Sequence, residues 1–483
     1  MSESIGRRAA MQHLLGFSAS VGLVGPAALA AGKTAAKHDL QRTTPSGILR
    51  VTRGPADLVI PADGDGFRYG TGYLCQVGPT QACLLSNLRT EGYPVGDFEA
   101  GVDAVVFDDA ARIADAPAVP VTRTVKYADR HTGQWRVVIK HGVKGGFVPW
   151  GARRPDGSPH PHAGTGVGFC AALDFPMKGN GYYDKTEKTK GMVRTTEVQQ
   201  LSFDGQRFRV THTETHTKSR PLQVPGSPWK IYSPPLRMGI PDGDDLLFAS
   251  AATTNDPSAW FSDPHACGVL RWRRMDKVWR PIAFTPVVQS RVPAKPVVVY
   301  GKKMSVVPIE PTLVRDLDGS LLFTARFAYD TFDEHVLRVW RSSDGASNDW
   351  KLIIESPDTK GQAPVSINRA LNGTPYIVST PLGREREKLS LWPLNKDRTG
   401  FDTPITVRDA RQQFGPPPSR QVWFMDHSNG GVVRLADGDW HDLLVYRIMD
   451  RGEHSGRAPA PQSGLYVEEV LCNGDVVPEW NFG

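Results

Sequence analysis

Beyond about residue 45 the chain alternates short apolar runs with turn residues. Such runs lie at Trp135–Lys140, Asp245–Ala249, Val297–Tyr300, Ser320–Ala325, Val336–Arg341, Lys351–Ile354, Tyr376–Ser379, Leu389–Leu394 and Leu443–Ile448. No apolar stripe of helical period extends over about 12 residues, so the pattern predicts strands rather than helices. Glycine (48) and proline (39) supply turns between the runs. Many short strands with turn signals between them point to an all-β sandwich, barrel or propeller.

One stretch, residues 310–350, carries the most information. Glu310 stands at the start of one apolar strand and Arg326 at the end of the next, with Asp318-Gly319 between them. Strands joined by a tight Asp-Gly turn bring their far ends side by side, so the carboxylate and the guanidinium are expected as neighbours at the rim opposite the turn. The stretch closes on a second turn, Asp344-Gly345, and on Trp350. Turns of this acidic-then-aromatic kind recur at Asp129–Trp135, Asp276–Trp279 and Asp397–Phe401. Recurring hairpins favour a radial propeller over a sandwich.

Ser342, Asp344 and Trp350, with glycine early at Gly345, resemble the S-x-D-x-G-x-x-W box of the sialidase superfamily, also called BNR or Asp-box proteins. Glu310, Asp318-Gly319, Leu321 and Arg326 resemble the module in which that family carries a catalytic glutamate and one substrate-binding arginine. Arg386, ahead of an apolar strand, is similar to the third arginine of the family triad, with Arg384 as a competitor. Phe67-Arg68-Tyr69 echoes the F-R-I-P motif and would make Arg68 the first arginine. The resemblance covers residues 305–447 moderately and the first half poorly. It implies an all-β, six-bladed β-propeller over residues 46–483, acting on glycans without a cofactor. Where the family places a nucleophilic tyrosine, this chain has His427, in Asp426-His427-Ser428. Asp97 is the candidate for the family's acid/base aspartate.

An arginine cluster suits a carboxylate or sulfate, because the guanidinium fork can grip two oxygens. Arg326 and Arg386 therefore point to an acidic or sulfated sugar; alternatively, Arg326 forms a rim ion pair with Glu310. Glu310 beside Arg326 favours a base or polariser over an acid. His427 has the chemistry of a general acid or base near neutral pH; alternatively it only lines the cleft. Hydrolysis is the expected reaction, with a lyase and a non-catalytic glycan-binding propeller as alternatives. In a hydrolase, Glu310 or His427 activates water while a second carboxyl protonates the leaving oxygen. In a lyase, an arginine neutralises a uronate and His427 or Tyr446 takes the C5 proton. In the third, the propeller binds glycan without catalysis.

Other motifs are weaker. His160-Pro161-His162 precedes the glycine-rich run Gly164–Gly168, and either histidine could reach a bound sugar from a loop; a phosphate loop is not expected, because no helix follows. On a strand, His212, Glu214 and His216 would share one face, as a metal site or a solvated edge; a metal is not expected. Trp150, Trp229, Trp260 and Trp423 sit in loop-like contexts suited to sugar stacking.

The net charge is +6, but no basic run stands out, so nucleic acid is not an expected partner. The N-terminus reads as an export signal over residues 1–30: Arg7-Arg8, an apolar stretch Leu14–Leu29, and a small-residue site at Ala28-Leu29-Ala30. The paired arginines suit the twin-arginine route, followed by a flexible tether over 31–45. A periplasmic or secreted protein without stable membrane insertion is expected. Of five cysteines, Cys75 and Cys83 are close enough in sequence for a local disulfide, and the others read as buried apolar residues.

Overall fold

Consecutive strands pair antiparallel, and each set of about four makes one sheet. The computed structural model describes residues 38–39, 48–53, 58–61, 71–88, 101–177, 193–233, 235–255, 264–291, 297–299, 302–304, 306–328, 336–343, 349–360, 364–380, 386–452 and 460–477. The expected signal, Arg68, Asp97, Trp260 and Arg384 lie outside these residues, as do the side chains of Asp426 and His427.

Six sheets follow in chain order as blades. Blade 1 is Gly72–Gly78, Gln81–Leu88, Gly101–Phe107 and Ala118–Arg123. Blade 2 is Trp135–Val148, Thr165–Pro176, Val193–Phe203 and Phe208–His216, with Val125–Ala128 added beside the first. Blade 3 has its inner position filled by Lys230–Ser233 and Ile240–Asp242, followed by Asp245–Thr253, His265–Met275 and Val278–Gln289. Blade 4 is Val307–Arg315, Leu321–Ala328, Val336–Ser342 and Trp350–Lys360; blade 5 is Ser366–Arg369, Pro375–Ser379, Lys388–Pro393 and Ile405–Asp409. Blade 6 is Trp423–Arg434, Trp440–Asp450 and Gly464–Cys472. Its fourth strand is Ile48–Arg53, from the other end of the chain.

The inner strands close a ring, because each bonds to the next. Leu236 N–H donates to Pro311 O at 3.2 Å, Ile367 N–H to the Thr312 hydroxyl at 2.9 Å, and Gly430 N–H to Asn368 Oδ1 at 2.8 Å. The Asn429 amide donates to Gly72 O, and Gly239 N–H to Gly145 O at 2.5 Å. The Arg315–Asp242 ion pair (2.8 Å) joins two strand ends, so inner strands run in the same direction. They start at an upper rim and finish at a lower one. The sequence expectation of a six-bladed, all-β propeller matches this architecture. His38–Asp39 pairs with Ile48–Arg53, within the stretch expected as a tether, and one compact unit spans His38–Gly483.

The core lies between blades. Phe169, Phe248 and Trp272 cluster between blades 2 and 3 with ring centroids 5.8–6.3 Å apart. The glycine-rich run expected as a loop is instead the start of the strand Thr165–Pro176. A Cβ at Gly145 would stand 1.8 Å from Val167 O, so the two strands approach at glycine-only distance. Cys75 and Cys83 are direct cross-strand partners, and both are free thiols.

The acidic turns do not all occupy equivalent places. Those at Asp276 and Asp397 join third to fourth strands, whereas Asp129 turns into the inner strand of blade 2; Asp344-Gly345 lies outside the described residues. A further one, Asp204-Gly205, joins third to fourth strand in blade 2, its carboxylate accepting from Gln206 N–H and Arg207 N–H at 3.1 and 2.8 Å. Asx chemistry serves any tight turn, so the signal marks hairpins and not their place in a blade.

Candidate functional site at the upper rim of blades 4 to 6

The inner strand of blade 4 carries Pro308-Ile309-Glu310-Pro311. Proline has no N–H for the ladder, and the register jumps from Ile309–Arg326 to Thr312–Thr324. Two residues, Glu310 and Pro311, thus oppose one, which is a β-bulge. Glu310 adopts φ 54°, in the left-handed region. The other described non-glycine residues with positive φ, Asp276, Lys277, Arg398 and Arg420, are in turns. Such a conformation costs about 1–3 kcal/mol and concentrates at functional sites.

Arg326, on the second strand, donates from Nη1 to Glu310 Oε2 at 2.9 Å. Both side chains keep part of their surface exposed, 22% for Arg326 and 24% for Glu310. The Arg326 Nε is buried without a hydrogen-bond partner among the described residues. Behind the pair, the Cys267 thiol is pushed well above its usual pKa by burial, with the Glu310 charge adding to the effect.

Arg386 is at the same rim. It precedes the third strand of blade 5, its carbonyl accepts from Met425 N–H at 2.8 Å, and its guanidinium carbon lies 4.3 Å from the centre of the Phe424 ring. The backbone of His427 lies in a second inner-strand bulge, between Asp426 and Asn429, where Ser428 is buried and its hydroxyl lacks a partner among the described residues. Buried hydroxyls of Ser379 and Thr380, at the upper end of blade 5, are also unpartnered among the described residues. Buried polar atoms are normally paired, and clusters of exceptions call for a ligand or water.

Two expectations fail. Tyr446 faces the core between blades 5 and 6, not solvent. Its hydroxyl donates to Glu468 Oε1 at 2.6 Å and accepts from Arg408 Nε at 2.5 Å, and Arg408 and Glu468 pair directly with no exposed side-chain surface. Burial raises its phenol pKa well above the usual value. Strand alternation sends Tyr446 inward between blades, and the sequence alone does not say which blade face is sealed. His160 and His162 belong to the lower rim: His160 Nε2 bonds Gly243 O at 3.1 Å, in the turn at the far end of an inner strand. Their loop follows the inner strand of blade 2, which leads away from Glu310. His162 packs edge-on to Trp279, and burial lowers its pKa.

Among the tryptophans, Trp423 is sealed in the core and donates to Gly415 O at 2.8 Å; Trp229 packs on Phe284. Trp150 is 45% exposed, but at the lower rim. His212, Glu214 and His216 lie on the outer strand of blade 2, and no group of three His, Cys, Asp or Glu able to hold a metal occurs among the described residues.

Sequence reasoning missed four buried polar residues near the upper rim. Arg194, Tyr232 and His265 form a connected group beside blade 4. Arg447, the cross-strand partner of Asp426, is 3% exposed. None sits in a motif; the readable local signal was the pair of prolines around Glu310.

No protein-family model matches the chain, and no curated protein matches it. Several solved structures are similar. A point mutant of NanB sialidase from Streptococcus pneumoniae aligns at 9% identity over 87% of this chain and 71% of that one, with a TM-score of 0.48. The Hadza microbial sialidase Hz136 aligns at 11% identity over 87% and 69%, with a TM-score of 0.49. An alpha-L-arabinanase from Penicillium chrysogenum aligns at 11% identity over 87% and 98%, with a TM-score of 0.42.

Proposed function

We propose that this propeller is an exported carbohydrate-active enzyme that cleaves glycosidic bonds in an acidic or sulfated glycan at the upper rim of blades 4 to 6. The observation that carries the reading is Glu310: a partly exposed carboxylate, held in a left-handed bulge inside a strand and bound by Arg326. A strand does not place a glutamate there for packing. Arg326 spends one N–H on Glu310 and a guanidinium has five, so donors remain for a ligand carboxylate or sulfate. Arg386, stacked on Phe424, supplies a second positive charge at the same rim.

In this reading Glu310 activates water or steadies the developing positive charge on the sugar, and the arginines orient the acidic group. Hydrolysis is favoured over elimination, because Tyr446 is sealed away from any substrate and His427 alone would remain as the base. Export through the N-terminal signal puts the protein in the periplasm or outside the cell, where such glycans are met.

The test is to incubate the mature protein with sialylated, uronate-containing and sulfated glycans, following reducing ends together with near-ultraviolet absorbance. New reducing ends without absorbance are expected. Absorbance rising with the ends would mean elimination to an unsaturated uronate, and silence with measurable binding would mean a lectin-like propeller.

A further inference from the structure

The bulge that presents Glu310 is held from blade 3 on both sides of the glutamate. After Glu310, Pro311 O accepts from Leu236 N–H at 3.2 Å. Before it, Pro308 O is bonded by His265 Nε2 at 2.5 Å. A carbonyl only accepts, so Nε2 of His265 carries the proton. His265 is fully buried. With the ring neutral, its Nδ1 is a lone pair that accepts from the Tyr232 hydroxyl. Tyr232 is itself fixed: the Arg194 Nη2 donates to its carbonyl at 2.9 Å, and the Arg194 guanidinium carbon lies 4.6 Å from the ring centre. Every link is buried, and no other role in the site uses them.

We propose that His265, oriented by Tyr232, is the positioning residue for Glu310: a neutral, Nε2-protonated imidazole that pins the Pro308 carbonyl and so keeps the strained carboxylate aimed at substrate. This rests on the reading of Glu310 as the functional carboxylate. His265 does not touch the substrate and transfers no proton to it. Its effect falls on geometry, where a misplacement of about 1 Å costs on the order of 100-fold in rate.

The test uses the full chain labelled with 15N in histidine rings and 13C in glutamate carboxyls, with His265→Gln and Glu310→Gln identifying the resonances. The wild-type His265 ring should show the Nε2–H tautomer, and Tyr232→Phe should turn it into a tautomer mixture. The Glu310 carboxyl resonance should move in Tyr232→Phe and in His265→Leu, and return towards wild type in His265→Gln, whose amide can still donate to Pro308 O. On a cleaved glycan, Tyr232→Phe should lower kcat about 10- to 100-fold with KM within about twofold. An Nδ1–H tautomer, or a Glu310 resonance indifferent to Tyr232→Phe in a folded protein, overturns the proposal. Should His265→Leu not fold, Tyr232→Phe alone decides. Turnover that survives Glu310→Gln, with the resonance shifts intact, would sink the reading of Glu310 and leave its positioning by His265 in place.

Discussion

At the scale of single residues, Tyr446 separates a catalytic from a structural role. Its hydroxyl belongs to a sealed trio with Arg408 and Glu468. Tyr446→Phe should therefore cost about 1–3 kcal/mol of stability in a denaturant titration, while activity per folded molecule stays at the wild-type level. A large drop in activity at unchanged stability would return Tyr446 to the site. His441 gives a pH signature. Its ring lies between Glu469 (2.8 Å) and Asp437 (3.0 Å), and the bond to Glu469, followed by the charges of both carboxylates, raises its pKa from 6.5. A raised pKa means that the folded protein holds the proton more tightly than the unfolded chain. The stabilisation is full below about pH 6.5 and is lost as pH rises through the folded-state value. Melting of wild type against His441→Gln should accordingly show its widest gap in mild acid, closing in alkali; a gap independent of pH would contradict this.

Between elements, close approach decides more than side-chain chemistry. Gly145 lies across from Gly168, and any Cβ there meets the Val167 carbonyl, which is backbone and cannot swing away. Gly145→Ala should destabilise by about 2–3 kcal/mol as a strained insertion, seen as a lower denaturation midpoint with unchanged slope. Gly133, by contrast, has nothing within 4 Å of a Cβ. At this scale the sequence was legible in part. Strand runs and the Asp318-Gly319 turn were readable because period and turn chemistry are local, and they foretold the contact of Glu310 with Arg326. The bulge was not expected, although Pro308 and Pro311 flank Glu310. What stayed hidden was which face of a strand meets a neighbouring blade. Tyr446 looked available, and His265 carried no motif, because both depend on contacts between residues far apart in sequence. The histidines at 160 and 162 failed for a related reason: a loop's composition does not say at which rim it emerges.

For the molecule as a whole, Ile48–Arg53 ties the N-terminal part of the chain to blade 6, pairing with residues 469–472 beside Leu58–Pro61, which pairs with residues 464–466. Removing residues 38–53 leaves residues 469–472 as an unpaired edge and takes away part of that tie. Such a truncation should lose the cooperative unfolding transition or shift its midpoint sharply, and limited proteolysis should then cut within blade 6; an unchanged transition would show that the tie contributes little. The ring of inner strands gives the site its form. Inner strands running in one direction gather their starts at one rim, so Glu310, Arg326, Arg386 and the His427 backbone share it although they come from three blades.

Under the proposed function, Glu310 is the working carboxylate of a glycan-cleaving site. The most direct measurement is the turnover number of Glu310→Gln against wild type on whichever acidic glycan the wild-type protein cleaves, with melting temperatures compared in parallel. A fall of about 100-fold or more in kcat, at a melting temperature close to wild type, is the predicted result. Turnover within about twofold of wild type would contradict it and move the chemistry away from the blade 4 bulge.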